Sequence, residues 1–430
     1  MKKYKYPNKK EWESLTVRPL QNYADIEPTV KSIFKEVQKN GDKAIAKYTS
    51  FFDGIRIENP IVTSAEINVA VNLVTAELKE AINQAKANIE KFHKAQKTES
   101  ITVETTEVVV CWQEKRAVDK VGLYIPGGSA PLFSTVLMLA IPAKIVNCKE
   151  IILCTPPDKN GNVNPAILYA ANLCGVTKIC KVGGIQAIAG MTFGTETISK
   201  VYKIFGPGNQ FVTAAKQVST QYKVAVDMPA GPSELLVFAD DSANPAFVAS
   251  DLLSQAEHGP DSLVILVTTS KTILKSVEEE VLSQLKLLPR KDIAKKAIEN
   301  SKLILVKNNQ DAIDFINEYA PEHLIICSKN EAFFSSNVNN AGSVFIGNFT
   351  PESAGDYASG TNHTLPTNGF AKNYSGVSVD SFLKTMTFQK ISEKGIQNIG
   401  KTIETMALAE GLEAHKNAVT IRLKSIKDGN

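Results

Sequence analysis

From residue 119 onward, short apolar runs alternate with stretches of helical periodicity, and this alternation constrains the fold more than any other feature of the chain. The first runs are VGLYIP, EIILCTP, KICKVG, VYKIFGP and KVAVDM, with helical patterns between them at 130–145, 164–174, 185–191 and 209–218. After a pause at 229–233, within PAGPSE, the rhythm resumes with LLVFAD, SLVILVT, LILVK, LIICS and SVFIG. Helical patterns at 244–258, 271–300, 309–319 and 329–338 separate these. Wholly apolar strands joined by helices have both faces to bury, so they predict parallel sheets covered by helices. The pause divides them into two α/β units, with no sequence repeat relating the two.

The flanks read differently. Residues 27–48 and about 65–97 carry apolar residues at helical spacing under a polar exterior. The stretch NFTPESAGDYASGTNHTLPTNGF, 348–370, has no periodicity, and a loop that long inside a compact domain is functional or disordered. Its tyrosine, phenylalanine, histidine and aspartate favour order. From about 390 the pattern returns to helix, and a helix so late in a chain can dock on a neighbouring subunit.

Charge and cysteine usage exclude several classes. The net charge is +3, with arginine only at Arg18, Arg56, Arg116, Arg290 and Arg422, so no basic stripe supports nucleic-acid binding. The opening MKKYKYPNKKEW lacks the apolar run of a secretory signal, and no later stretch approaches a membrane span, so a cytoplasmic protein is expected. The 6 cysteines show no C-x-x-C spacing, which argues against a thiolate zinc site or a disulfide framework. Those in apolar strands, such as Cys154, read as small buried hydrophobes. Any metal must therefore be held by nitrogen and oxygen.

The chain has 5 histidines. His93, on a polar-faced helix, is expected to be solvated. Each of the others has a carboxylate or amide nearby: Gln255 with His258, Glu322 with His323, Asp356 with His363, and Glu410 with His415. Gln255 and His258 close a helix in SQAEHGP and point away from the centre of its apolar stripe, Ala249, Leu252, Leu253 and Ala256, so they are not expected in the core. A site assembled from four such segments is expected at the carboxyl ends of strands, where α/β folds bind ligands. Imidazole and carboxylate are ordinary zinc ligands, and a neutral amide oxygen would leave the metal open to donors from a substrate. Adjacent Glu322 and His323 rarely converge on one ion but can transfer protons. A zinc hydrolase with Glu322 as base and a non-catalytic ligand-binding protein also remain compatible with these residues.

Glycine turns offer a second type of site. IFGPGNQF supplies Gly206 and Gly208, but Phe211 stands where a dinucleotide fingerprint needs its third glycine. The turn follows a strand and opens a helix, so its amides can face a phosphate. GLYIPGGSAP is a second turn of this kind.

Taken in order, GLYIPGG, VGGIQAIAG, FGPGN, DMPAGPSE, SQAEHGP, APEHL, SAGDYASGTNHTLPT and EGLEAH closely resemble the histidinol dehydrogenase family over nearly the whole chain. The resemblance implies oxidation of L-histidinol to L-histidine, the last two steps of histidine biosynthesis, with reduction of two NAD. It places zinc ligands, one ion per subunit, on Gln255, His258, Asp356 and His415, and the catalytic pair on Glu322 and His323. Ser233, His363 and Glu410 match substrate contacts, beside the metal ligands and His323, while Tyr124, Gln186 and Asn209 match NAD contacts. It further implies a homodimer whose C-terminal segment crosses to the partner, so that Glu410 and His415 serve the other subunit's site. The expected architecture is two incomplete Rossmann-like parallel-sheet domains with helical terminal segments. Residues 1–20 form an N-terminal segment, 21–118 with 234–370 the metal and substrate domain, 119–233 the NAD domain, and 371–430 the exchanged segment.

Overall fold

The computed structural model describes residues 1–18, 23–127, 131–229 and 231–429. They form two compact units, Met1–Gln96 with Val118–Ser381 and Lys97–Ala117 with Phe382–Asn430. Fourteen strands occur among the described residues: β1 (Lys2–Lys5), β2 (Thr102–Thr106), β3 (Val109–Ala117), β4 (Lys120–Tyr124), β5 (Glu150–Thr155), β6 (Lys178–Lys181), β7 (Lys203–Phe205), β8 (Ala225–Val226), β9 (Glu234–Ala239), β10 (Leu263–Thr268), β11 (Lys302–Leu305), β12 (His323–Cys327), β13 (Ser343–Ile346) and β14 (Leu383–Ile391).

The larger unit contains the two parallel sheets that the alternation predicts. One has the order β6-β5-β4-β7-β8 and the other β1-β11-β10-β9-β12-β13. Apart from β1 at the edge, strands are added in each sheet first on one side of β4 or β9 and then on the other, so β4 lies between β5 and β7, and β9 between β10 and β12. A reversal of this kind opens a crevice between diverging connections.

Alternate residues of β9 face different helices. Leu235 and Val237 pack with Val248 and Leu252 of the helix Pro245–Ala256, while Leu236 and Phe238 pack with Phe315 and Ile316 of the helix Asn309–Tyr319. All four β9 side chains are fully buried, and each contributes roughly 1.5–3 kcal/mol of burial free energy. Cys154 and Cys180 sit opposite each other in the five-stranded sheet, both buried, and all 6 thiols are free of disulfides. Among the described residues no helix is long and apolar enough to cross a membrane.

Several segments depart from the sequence reading. The lysine-rich opening supplies β1, which pairs with β11. The smaller unit contains an antiparallel sheet, β14-β3-β2, in which β2 and β14 are mostly exposed and give no apolar run to read. The segment 348–370 carries a short helix, Glu352–Tyr357. His93 is buried rather than solvated. It extends the stripe Ile82, Ala85 and Ile89 of the helix Ala76–Ala95, with Nδ1 2.8 Å from the Ile89 carbonyl oxygen and Nε2 3.2 Å from the Asn362 amide. Lysines on either side hide that stripe in the sequence.

Candidate active site

The start of β12 brings Glu322 and His323 beside the start of β9, where His323 pairs in register with Leu235. Both side chains are buried. The Glu322 carboxylate accepts the backbone N–H of Glu234 at 2.8 Å, and His323 Nδ1 stands 3.2 Å from the Glu234 carbonyl oxygen. Burial pushes the Glu322 carboxyl up to about 7, against the opposing pull of His323. Burial alone would lower the His323 pKa, but Glu352, Glu322 and Asp356 outweigh it and raise it to about 10.

The helix Glu352–Tyr357 presents two carboxylates to His323. Glu352 Oε1 lies 3.6 Å from Nδ1 and Asp356 Oδ1 3.7 Å from Nε2. One ligand atom from each of His323, Glu352 and Asp356 lies within 4.8 Å of the other two, close enough to share an ion. Glu352 escapes the sequence reading because no histidine adjoins it. The i, i+4 spacing of Glu352 and Asp356 in PESAGD is the signal that could have found it. His363 Nε2 stands 3.1 Å from Thr135 Oγ1, and burial lowers the His363 pKa while Asp356 opposes that shift.

Gln255 is fully buried, contrary to the expectation for SQAEHGP, because its helix is covered on more than one side: Asp251 is buried as well. Neither its amide nitrogen nor its amide oxygen has a hydrogen-bond partner. A buried amide without a partner carries a desolvation cost that a ligand or ion would relieve. The helix ends at Ala256, so His258 stands just beyond it, its backbone N–H donating to the Gln255 carbonyl oxygen at 3.2 Å. His258 retains solvent access, yet the protein around it lowers its pKa, with Asp356 opposing.

These groups gather at the amino edge of the six-stranded sheet, not at the carboxyl edge anticipated. Ser233, Glu234, Glu322 and His323 all stand at or before strand starts, and the helix Pro245–Ala256 returns its C-terminus to the same edge. The partial negative charge of a helix C-terminus suits a cation. The five-stranded sheet uses the opposite edge. Tyr124 ends β4, Gln186 lies in the first turn of the helix Gly184–Phe193 after β6, and Asn209 caps the helix Gln210–Thr220 after β7. The Tyr124 hydroxyl accepts the Gly184 N–H at 3.1 Å, while buried Gln186 has neither amide atom partnered. Asn209 Oδ1 accepts from the N–H groups of Phe211 and Val212, both at 3.1 Å. Gly206 needs to be glycine: at φ +128° a Cβ there would lie 2.1 Å from the Tyr124 carbonyl oxygen. The second glycine turn, GLYIPGGSAP, falls partly at 128–130, outside the described residues.

A cavity of about 470 Å³ is lined from both sheets, by Gly206, Gly208 and Asn209 on one side and Ser233, His258, Glu322 and His363 on the other. A larger groove of about 1100 Å³, lined by Asp53, Glu66, Thr155 and Pro156, shares Pro126 with it and has none of the histidines in its lining. The smaller cavity is the one whose lining brings Glu322 together with His258 and His363. Glu410 and His415 belong to the smaller unit, at the end of the helix Glu393–Ala409 and within Glu413–Asp428, on exposed positions.

Residues 16–423 match the histidinol dehydrogenase family. Histidinol dehydrogenase of Bacteroides thetaiotaomicron is 59% identical over 427 residues, covering 99% of this chain and 100% of that protein. The chloroplastic histidinol dehydrogenase of Arabidopsis thaliana is 50% identical over 418 residues, covering 96% of this chain and 89% of that one. The crystal structure of histidinol dehydrogenase from Elizabethkingia anophelis is similar at a TM-score of 0.97 with 57% identity, covering 99% of both chains.

Proposed function

Because the chain belongs to the histidinol dehydrogenase family, oxidoreductases that oxidise histidinol in histidine biosynthesis, we propose that it performs the NAD-dependent, zinc-assisted four-electron oxidation of L-histidinol to L-histidine through histidinaldehyde. The observation that carries this proposal is the unpartnered amide of buried Gln255, three residues before His258 in the chain, near a site otherwise made of imidazole and carboxylate. That donor set is chemically right for a zinc ion held by Gln255, His258 and Asp356, with His415 of a second subunit as the fourth protein ligand. A zinc ion there would supply a template for the substrate's imidazole and amino nitrogens, and its positive charge would oppose the pull of the surrounding carboxylates on His323.

The chain's own groups then divide the work. Ser233, His363 and Glu410 fix the substrate so that its carbinol carbon faces the cofactor. His323 takes the hydroxyl proton as a hydride leaves that carbon for NAD⁺, giving the aldehyde and NADH. Glu322 accepts a proton from water as the water adds to the aldehyde carbon. The resulting hydrate loses a second hydride to a second NAD⁺ and a proton, leaving the carboxylate. Tyr124, Gln186 and Asn209 hold the dinucleotide at the carboxyl edge of the five-stranded sheet, where helix N-termini favour its phosphates. We accordingly assign the six-stranded sheet to metal and substrate and the five-stranded sheet to NAD. The proposed assembly is a cytoplasmic homodimer whose C-terminal segments cross, and unpaired thiols fit that compartment.

Purified protein supplied with zinc, L-histidinol and NAD is expected to form two NADH per histidinol, followed at the NADH absorbance band. No NADH under those conditions rejects the reading, and NAD-independent cleavage of an ester or amide substrate would instead indicate a hydrolase.

A further inference from the structure

One buried ion pair stands apart from the groups assigned above, and its geometry leads back to the catalytic pair. The Arg18 side chain is 8% exposed and that of Glu234 1%. Arg18 Nε donates to Glu234 Oε1 at 3.0 Å and Nη2 to Oε2 at 2.9 Å, the two parallel bonds that a planar guanidinium makes with a carboxylate. Nη2 also donates to the carbonyl oxygen of Tyr319 at 2.7 Å, and the guanidinium lies 3.7 Å over the Tyr319 ring. Tyr319 ends the helix Asn309–Tyr319, and the chain then turns through Ala320, at a left-handed φ of 52°, and Pro321 into Glu322. A third contact fixes the same carboxylate, since the Asn368 N–H donates to Glu234 Oε1 at 2.7 Å.

The main chain of Glu234 is what holds both members of the pair. Its N–H donates to Glu322 at 2.8 Å, and its carbonyl oxygen stands 3.2 Å from His323 Nδ1. Arg18 therefore grips the residue that orients the pair and also the helix end that delivers it. An ion pair serving stability alone has no need to end on that one residue.

We propose that Arg18 and Glu234 are positioning residues for the oxidation: their forked ion pair sets the Glu234 backbone, and through it the aim of Glu322 and His323. This rests on the catalytic reading given above. A lysine at position 18 keeps the charge but loses the planar fork, so the pair stays charged while its geometry loosens. Small misplacement of a proton-transfer group slows the chemical step far more than it weakens substrate binding.

The test uses the zinc-loaded full chain with Arg18→Lys, Glu234→Gln and the double variant, assayed with L-histidinol and NAD beside the wild type. Each single change is expected to lower kcat about 10-fold while the KM for histidinol moves less than about 3-fold. The double variant is expected to lose no more than the worse single one, because both break the same pair. Circular dichroism and zinc content are expected to match wild type at the assay temperature. Folded variants with wild-type kcat, or equal losses in kcat and folded fraction, overturn the proposal. So does failure of Arg18→Lys to fold, which would make the pair a folding element. A wild type without turnover sinks the catalytic reading and this proposal with it, whereas wild-type turnover with unaltered variants sinks this proposal alone.

Discussion

Asp356 meets His363 by two routes: its carbonyl oxygen lies 2.9 Å from His363 Nδ1, and its carboxylate lies 3.9 Å from the same nitrogen. Replacing the carboxylate leaves the main-chain contact, so Asp356→Asn is expected to keep His363 in place while losing the metal. Zinc content after dialysis is expected to fall more than about 10-fold, and likewise in His258→Asn. Retention of stoichiometric zinc by either variant would remove that residue from the ligand set.

His323→Asn is expected to lower kcat by about 10²–10⁴-fold with KM for histidinol changed only a few-fold. The proposed role of Glu322 needs its carboxylate, and burial pushes that carboxyl up to about 7, so kcat is expected to rise with pH through that region. A pH profile of Glu322→Gln is expected to lack this limb. An unchanged limb would assign it to another group.

Gly206→Ala puts a Cβ against the Tyr124 carbonyl oxygen in a backbone conformation that alanine resists. The turn proposed to face the dinucleotide must shift, so the KM for NAD is expected to rise at least about 10-fold. Zinc content serves as the control and is expected to stay at the wild-type level.

Asp251 is buried, which pushes its carboxyl up to about 7, with the Glu352 backbone N–H opposing. A carboxyl whose folded pKa is raised favours the folded state only while it can stay protonated. Its contribution is complete below the ordinary aspartate range near 3.8 and is lost as pH rises through about 7. Asp251→Asn imitates the protonated form, so thermal or denaturant unfolding is expected to show a gain of about 1–3 kcal/mol at pH 8. That gain is expected to vanish near pH 4, and a constant gain at both pH values would contradict the burial explanation.

Glu322→Gln and His415→Asn are each expected to retain only a small fraction of wild-type activity alone. Once their subunits are exchanged, the mixture is expected to recover activity through mixed dimers in which one site is intact. No recovery, with exchange verified by mass-tagged subunits, would reject the crossing tails.

The parallel sheets were legible because strands such as LVILVT are buried on both faces and leave no polar residue to blur the run. Strands β2 and β14 were not, since TVETT and LKTMTFQKI are mostly exposed and rich in polar residues, which removes the burial signal while leaving the pairing. The histidine-bearing segments were legible by composition, and Gln255, His258, Glu322, His323, Asp356 and His363 all belong to the larger unit. Which edge of the sheet they occupy was not. That follows from helices returning across the sheet, a three-dimensional fact with no local mark in SQAEHGP or APEHL. Glu352 stayed hidden for a related reason: its partner His323 is remote in sequence.

Two sheets, one approached at its amino edge and the other at its carboxyl edge, line a single cavity of about 470 Å³. A small molecule joining an imidazole to a short anionic arm could therefore engage both halves of the reaction at once. Tethering makes the second contact intramolecular, so such a compound gains affinity beyond either fragment without any new contact. A linker too short to span from His258 to the Gly206 turn would forfeit that gain, which makes linker length a ruler for the distance between the two reacting partners.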